Sequence, residues 1–113
     1  MVEDFLIVID QRRDELIVAL HGEVDLATTG ELSMVLDEAV ESPVPVVIDL
    51  SDVSFIDSAG LQLIAVAAQA RGERSCVRVR GAGEFARQLF ATTGLDTMVT
   101  LEPPGPPSAA DCS

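Results

Sequence analysis

The chain contains no tryptophan, no tyrosine and no lysine, and only one histidine and two cysteines among its 113 residues. Four phenylalanines are the whole aromatic content, so a core has to be built from Val, Leu, Ile and Ala. The length fits one domain with one core, and 48% apolar residues suit a soluble globular protein. In the absence of lysine the seven basic residues are all arginine, and the net charge is −12. Such a surface repels nucleic acid and anionic membranes, which excludes direct binding to either as the expected function. No apolar run approaches the roughly 20 residues that cross a bilayer. Met1-Val2-Glu3-Asp4 lacks the basic start and apolar centre of a signal peptide, so the expected location is cytoplasmic. Cys76 sits in an apolar run and Cys112 in a polar tail, without Cys-x-x-Cys or Cys/His spacing. They read as a buried thiol and an incidental one in a reducing compartment, with a disulfide between them left open. His21 has no second ligand at useful spacing. No metal and no cofactor are expected.

What is present is periodic. Phe5 to Ile9 and Leu16 to Leu20 read as strands separated by a polar cluster, a spacing that suits an antiparallel hairpin. His21-Gly22-Glu23-Val24-Asp25 is expected to leave the sheet, with Gly22 supplying the turn. Thr28 and Glu31 have the spacing of a capping box, and Leu32, Val35, Leu36, Ala39 and Val40 then follow helical periodicity. Pro43 and Pro45 end that helix. Val46 to Leu50 is the next strand, and the intervening helix makes it parallel to an earlier one. A second helix carries Leu61, Ile64, Ala65 and Ala68 on one face and stops near Gly72. Ser75 to Arg80 alternates as a strand with one solvated face. A third helix begins around Gly83-Glu84 and shows Phe85, Ala86, Leu89 and Phe90, and Leu95 to Leu101 holds a short last strand. Arg71, Arg74, Arg78, Arg80 and Arg87 read as surface cations in local ion pairs. The fold class is α/β, in the order β-β-α-β-α-β-α-β, an open mixed sheet with its helices mainly on one face. Residues 1–102 form the domain, and the Pro-rich stretch 103–113 is expected to be a disordered tail.

The stretch Asp57-Ser58-Ala59-Gly60, between a strand and a helix, is the candidate site. Read as structure alone, Ser58 or Asp57 caps the helix and Gly60 allows close packing. Read as a hydrolase, Ser58 has no Gly-x-Ser-x-Gly setting and only His21 as a base, and no Gly-rich phosphate loop is present. Read as a modification site, Ser58 stands where a helix N-terminus tolerates a phosphate. Asp25, if its strand exit lies alongside, adds a carboxylate that orients the hydroxyl or meets a partner's cation.

Three stretches together resemble the bacterial anti-sigma-factor antagonists, single-domain members of the STAS group. They are Gly22-Glu23-Val24-Asp25, the run from Val47 through Asp57-Ser58-Ala59-Gly60-Leu61, and Phe85-Ala86-Arg87-Gln88-Leu89-Phe90 with Thr93-Gly94-Leu95. The resemblance spans roughly Phe5 to Leu101, and its middle motif is the specific one. It implies a binding protein that is not itself an enzyme and has no catalytic residues. Its partner is an anti-sigma factor, an ATP-dependent serine kinase that phosphorylates Ser58. The unphosphorylated form binds that kinase and frees the sigma factor; phosphorylation breaks the complex, and a phosphoserine phosphatase restores it. Partner contact is implied for Asp25, Asp57, Ser58, Ala59, Gly60, Leu61 and Gln62. Ala59 and Gln62 depart from common family residues; Ala59 leaves a single acceptor and Gln62 bears on partner choice. Self-association as a weak homodimer stays open. The alternative within the same group is a STAS module of another assembly, a stressosome scaffold or a transporter-associated subunit.

Overall fold

The computed structural model describes residues 5–71 and 77–102. Cys76, Cys112, Arg74, the helix stop at Gly72 and the tail 103–113 lie outside the described residues. Five strands form one open sheet in the spatial order β1-β2-β3-β4-β5: β1 (Leu6–Gln11), β2 (Leu16–Val24), β3 (Val46–Ile56), β4 (Val77–Arg80) and β5 (Thr100–Leu101). The first two pair antiparallel, as the short polar connection requires, and every later pair is parallel. Helices α1 (Thr29–Ala39), α2 (Ser58–Arg71) and α3 (Glu84–Thr93) supply the crossovers.

Strand alternation assigns the faces. Leu16, Val18, Leu20 and Val24 of β2 join Val46, Ile48, Leu50 and Ile56 of β3 in one cluster with Leu32 and Leu36 of α1, Leu61 and Ile64 of α2, and Phe90 of α3. The helices therefore cover one face. On the other, charge pairs replace a second layer. Arg78 meets Glu15 at 3.0 Å and Glu102 at 3.5 Å, and Arg80 meets Asp49 at 3.2 Å. Val47 stays buried on that face, paired across the sheet with Ile17 and Arg78.

Two details differ from the sequence reading. The stretch His21 to Val24 does not leave the sheet: β2 continues to Val24 and β3 to Ile56. Two register irregularities each give β3 one extra residue, so Val18 faces Ile48 but Val24 faces Ile56. Gly22, at φ 95°, lies on β2 at the second of them, so its conformational freedom serves the strand opposite the extra residue of β3. Arg71 is not a surface cation but is 6% exposed. Its Nη1 donates to the carbonyls of Ala39, Val40 and Ser42 at 3.0, 3.1 and 3.3 Å, and its Nη2 to that of Val44 at 2.9 Å. One guanidinium thus closes the end of α1 and the proline turn after it. On α3, Ala86 and Phe90 are buried, whereas Phe85 is 58% exposed.

Two outcomes follow from these contacts. Arg71→Ala strands several buried carbonyls and should cost about 2–4 kcal/mol in chemical denaturation; a change below about 1 kcal/mol contradicts the assignment. Burial raises the proton affinity of Asp49, but hydrogen bonds from the Ser51 hydroxyl and N–H and the Arg80 guanidinium outweigh it and hold the carboxyl below its ordinary value. With a folded value below the unfolded one, its contribution is complete above about pH 4 and is lost as the pH falls through the folded value. Asp49→Asn should therefore flatten the acid limb of a Tm-against-pH curve; parallel curves contradict it.

Candidate functional site

The site grows from two neighbouring strand exits. Val24 faces Ile56, and the Asp57 N–H donates to the Val24 carbonyl at 3.1 Å, which carries the pairing past the strands' ends. Asp25 and Asp57 therefore leave the sheet side by side. Each carboxylate is spent on the turn that follows it. Asp25 Oδ1 accepts the Ala27 N–H at 3.0 Å. Thr28 Oγ1 accepts the Asp25 N–H and donates to the Asp25 carbonyl, both at 3.0 Å, which closes the 3-10 turn Leu26–Thr28. The forward capping box from Thr28 to Glu31 does not form, because this hydroxyl is committed backward.

Asp57 does the same for α2. Its Oδ1 accepts the Gly60 N–H at 3.1 Å, and its carbonyl accepts the Leu61 N–H at 3.2 Å. Asp57 is thus the cap, and Ser58 is the first helical residue, exposed, with its hydroxyl outside the capping bonds. The division of labour matters chemically. A group attached to Ser58 Oγ leaves the cap in place and sits at the positive end of the helix dipole.

The structure brings Asp25, Asp57 and Ser58 to one end of the sheet and turns Gln62 outward one helical turn on. Ala59 is half-buried beside them. Gly60 and Leu61 are not surface residues. Leu61 is fully buried, and a Cβ on Gly60 would stand 2.7 Å from Val24 Cγ1 and 3.1 Å from Ile56 Cγ1. These two seat α2 on the sheet, so their bearing on a partner is through the placement of Ser58. Val66, 54% exposed, extends the outward stripe of Ser58 and Gln62 by another turn, and Leu26, 76% exposed, follows Asp25. Sequence periodicity points to Val66, because the four-residue step from Ser58 and Gln62 reaches an apolar side chain on the polar stripe. Leu26 carries no comparable signal.

Glu23, Asp25, Asp52, Asp57 and Glu84 lie on the three segments that follow or end the parallel strands. The arginines of those segments are engaged elsewhere, Arg80 with Asp49 and Arg87 with the Glu102 carbonyl. His21 Nδ1 lies 3.2 Å from Asp52 Oδ2. Among the described residues no cluster of three or more His, Cys, Asp or Glu side chains is arranged to hold a metal, and no helix is long and apolar enough to cross a membrane.

Comparison with known proteins identifies the family and the fold. The family described as "Mlab, STAS domain" matches residues 7–101. The anti-sigma-F factor antagonist RsfB of Mycobacterium tuberculosis is 33% identical over 86 residues, 75% of this chain and 70% of that protein. Among solved structures, an anti-sigma factor antagonist from Mycobacterium paratuberculosis superimposes with a TM-score of 0.80 at 28% identity, covering 88% of this chain and 86% of that one. The antagonist SpoIIAA in its unphosphorylated form gives a TM-score of 0.71 at 16% identity, with 88% and 90% covered, a likeness of fold.

Inward Gly60 and outward Ser58 separate by stability. Gly60→Ala forces Val24 and Ile56 aside and should cost about 1–3 kcal/mol in thermal or urea unfolding. Ser58→Ala should stay within about 0.5 kcal/mol of the parent. Equal stability of all three proteins contradicts the packing described.

Proposed function

The chain belongs to the STAS-domain family, and on that premise we propose that it is an anti-sigma-factor antagonist switched by phosphorylation of Ser58. The unphosphorylated protein binds an anti-sigma factor that is an ATP-dependent serine kinase, and the sigma factor is released. The kinase transfers a phosphoryl group to Ser58 Oγ, the complex parts, and a phosphoserine phosphatase reverses the step. The observation that carries this reading is the exposed Ser58 hydroxyl at the first position of α2, with the cap supplied by Asp57 instead. The protein presents the hydroxyl and another protein does the chemistry.

Electrostatics supports a switch here. A phosphoserine adds roughly −1.5 to −2 charges. The fold tolerates them at a helix N-terminus, but a docking surface that already carries Asp25 and Asp57 becomes more acidic at its centre. Repulsion and desolvation at an interface of several kcal/mol are enough to separate a complex. Domain 1–102 with a tail at 103–113 completes the proposal. The other reading is a STAS module of another assembly, a stressosome scaffold or a transporter-associated subunit; co-purification with the components of such an assembly and no anti-sigma factor selects it.

Incubation with the anti-sigma kinase and ATP should add a single increment of roughly 80 Da, absent in Ser58→Ala. Stoichiometric labelling of Ser58→Ala overturns the assignment. Ser58→Asp should weaken kinase binding in calorimetry, and unchanged affinity places the serine outside the interface.

A further inference from the structure

We infer that the groove between the end of β3 and the start of α3 takes an apolar side chain from a basic surface of the anti-sigma factor; this rests on the function proposed above. The groove exists because β3 outruns its neighbour. Its pairing with β4 stops at Asp49, whereas β3 continues to Ile56. The uncovered part of β3 and the first turn of α3 enclose about 180 Å³, lined by Leu50, Val53, Phe55, Ile56, Glu84 and Phe85. Phe55 and Phe85 stack across it with ring centroids 6.2 Å apart and planes 24° from parallel. They remain 44% and 58% exposed, in a chain that has only four phenylalanines. Exposed aromatic pairs of this kind are the usual anchors of protein interfaces.

The surroundings choose the occupant. The space is smaller than the roughly 300 Å³ at which small-molecule sites begin. It is of side-chain scale and open at the surface. Glu84 stands on its rim, and Asp57 follows Ile56, so the groove is continuous with the acidic end that carries Ser58. The arginines nearest in sequence are already engaged: Arg80 with Asp49 at 3.2 Å and Arg87 with the Glu102 carbonyl at 2.9 Å. A partner matched to this surface brings Lys or Arg around an apolar centre. A second copy of this chain, with net charge −12, brings the same acids to the same place and is repelled.

The test is a titration of the full-length chain, with its phenylalanine rings 13C-labelled, with the purified full-length anti-sigma factor, alongside Phe85→Ala, Phe55→Ala and Glu84→Gln. Phe85 is exposed enough for its truncation to leave the fold intact, which the unmoved resonances of buried Phe90 report. The expected result is that the Phe55 and Phe85 rings shift on binding and Phe90 does not. Phe85→Ala weakens binding about tenfold or more, and affinity falls as salt is raised. Binding at parental affinity by both phenylalanine variants, or Phe55 and Phe85 rings that stay unmoved when the unsubstituted chain binds, overturns the inference and leaves the proposed function standing. Failure of the unsubstituted chain to bind overturns the proposed function, and the inference with it. Concentration-dependent shifts of the same rings without partner assign the groove to a second copy and also overturn it.

Discussion

The contact on which the site depends is the close approach of α2 to the sheet at Gly60. Val24 and Ile56, the last core residues of β2 and β3, leave no room for a side chain there. The helix therefore begins directly above the strand ends, with Leu61 driven into the core behind it. Asp57 has to serve two structures at once: its N–H continues the pairing with Val24, and its carboxylate caps the helix. Ser58 is left as the first side chain that neither structure uses. A rigid, exposed hydroxyl is the consequence of packing, not a feature added to it.

That economy explains why a small domain with few aromatics suits a switch. On the proposal made above, a phosphoryl group on Ser58 would touch neither the cap nor the core, so its energy would be expressed at the surface. The net charge of −12 sets the sign of that effect. Arg71 is buried against carbonyls, and Arg78 and Arg80 are consumed by carboxylates on the uncovered face of the sheet. The end that carries Ser58 is left acidic, and the proposed modification would make it more so.

Much of this was legible in the residues. The hairpin, the parallel crossover and the inward stripes of α1 and α2 follow from apolar period alone, and Asp57-Ser58-Ala59-Gly60 announces a strand-to-helix junction. The resemblance of that motif to the STAS antagonists matches the family found by comparison. What stayed hidden are effects of neighbours distant in sequence. The two extra residues of β3 answer to β2, so a local pattern could not show that the strand runs on to Ile56. Arg71 looks like any helix-end cation until the carbonyls of Ala39 and Val44 close around it. Thr28 and Glu31 have the spacing of a cap, but Asp25 claims the hydroxyl first.

The central claim is that one phosphoryl group on Ser58 controls one interface. Calorimetric titration of the anti-sigma kinase with unphosphorylated and with stoichiometrically phosphorylated protein tests it most directly. The account predicts affinity for the first and a loss of about a hundredfold or more for the second, the size of a few kcal/mol at an interface. Equal affinities for the two forms would contradict it.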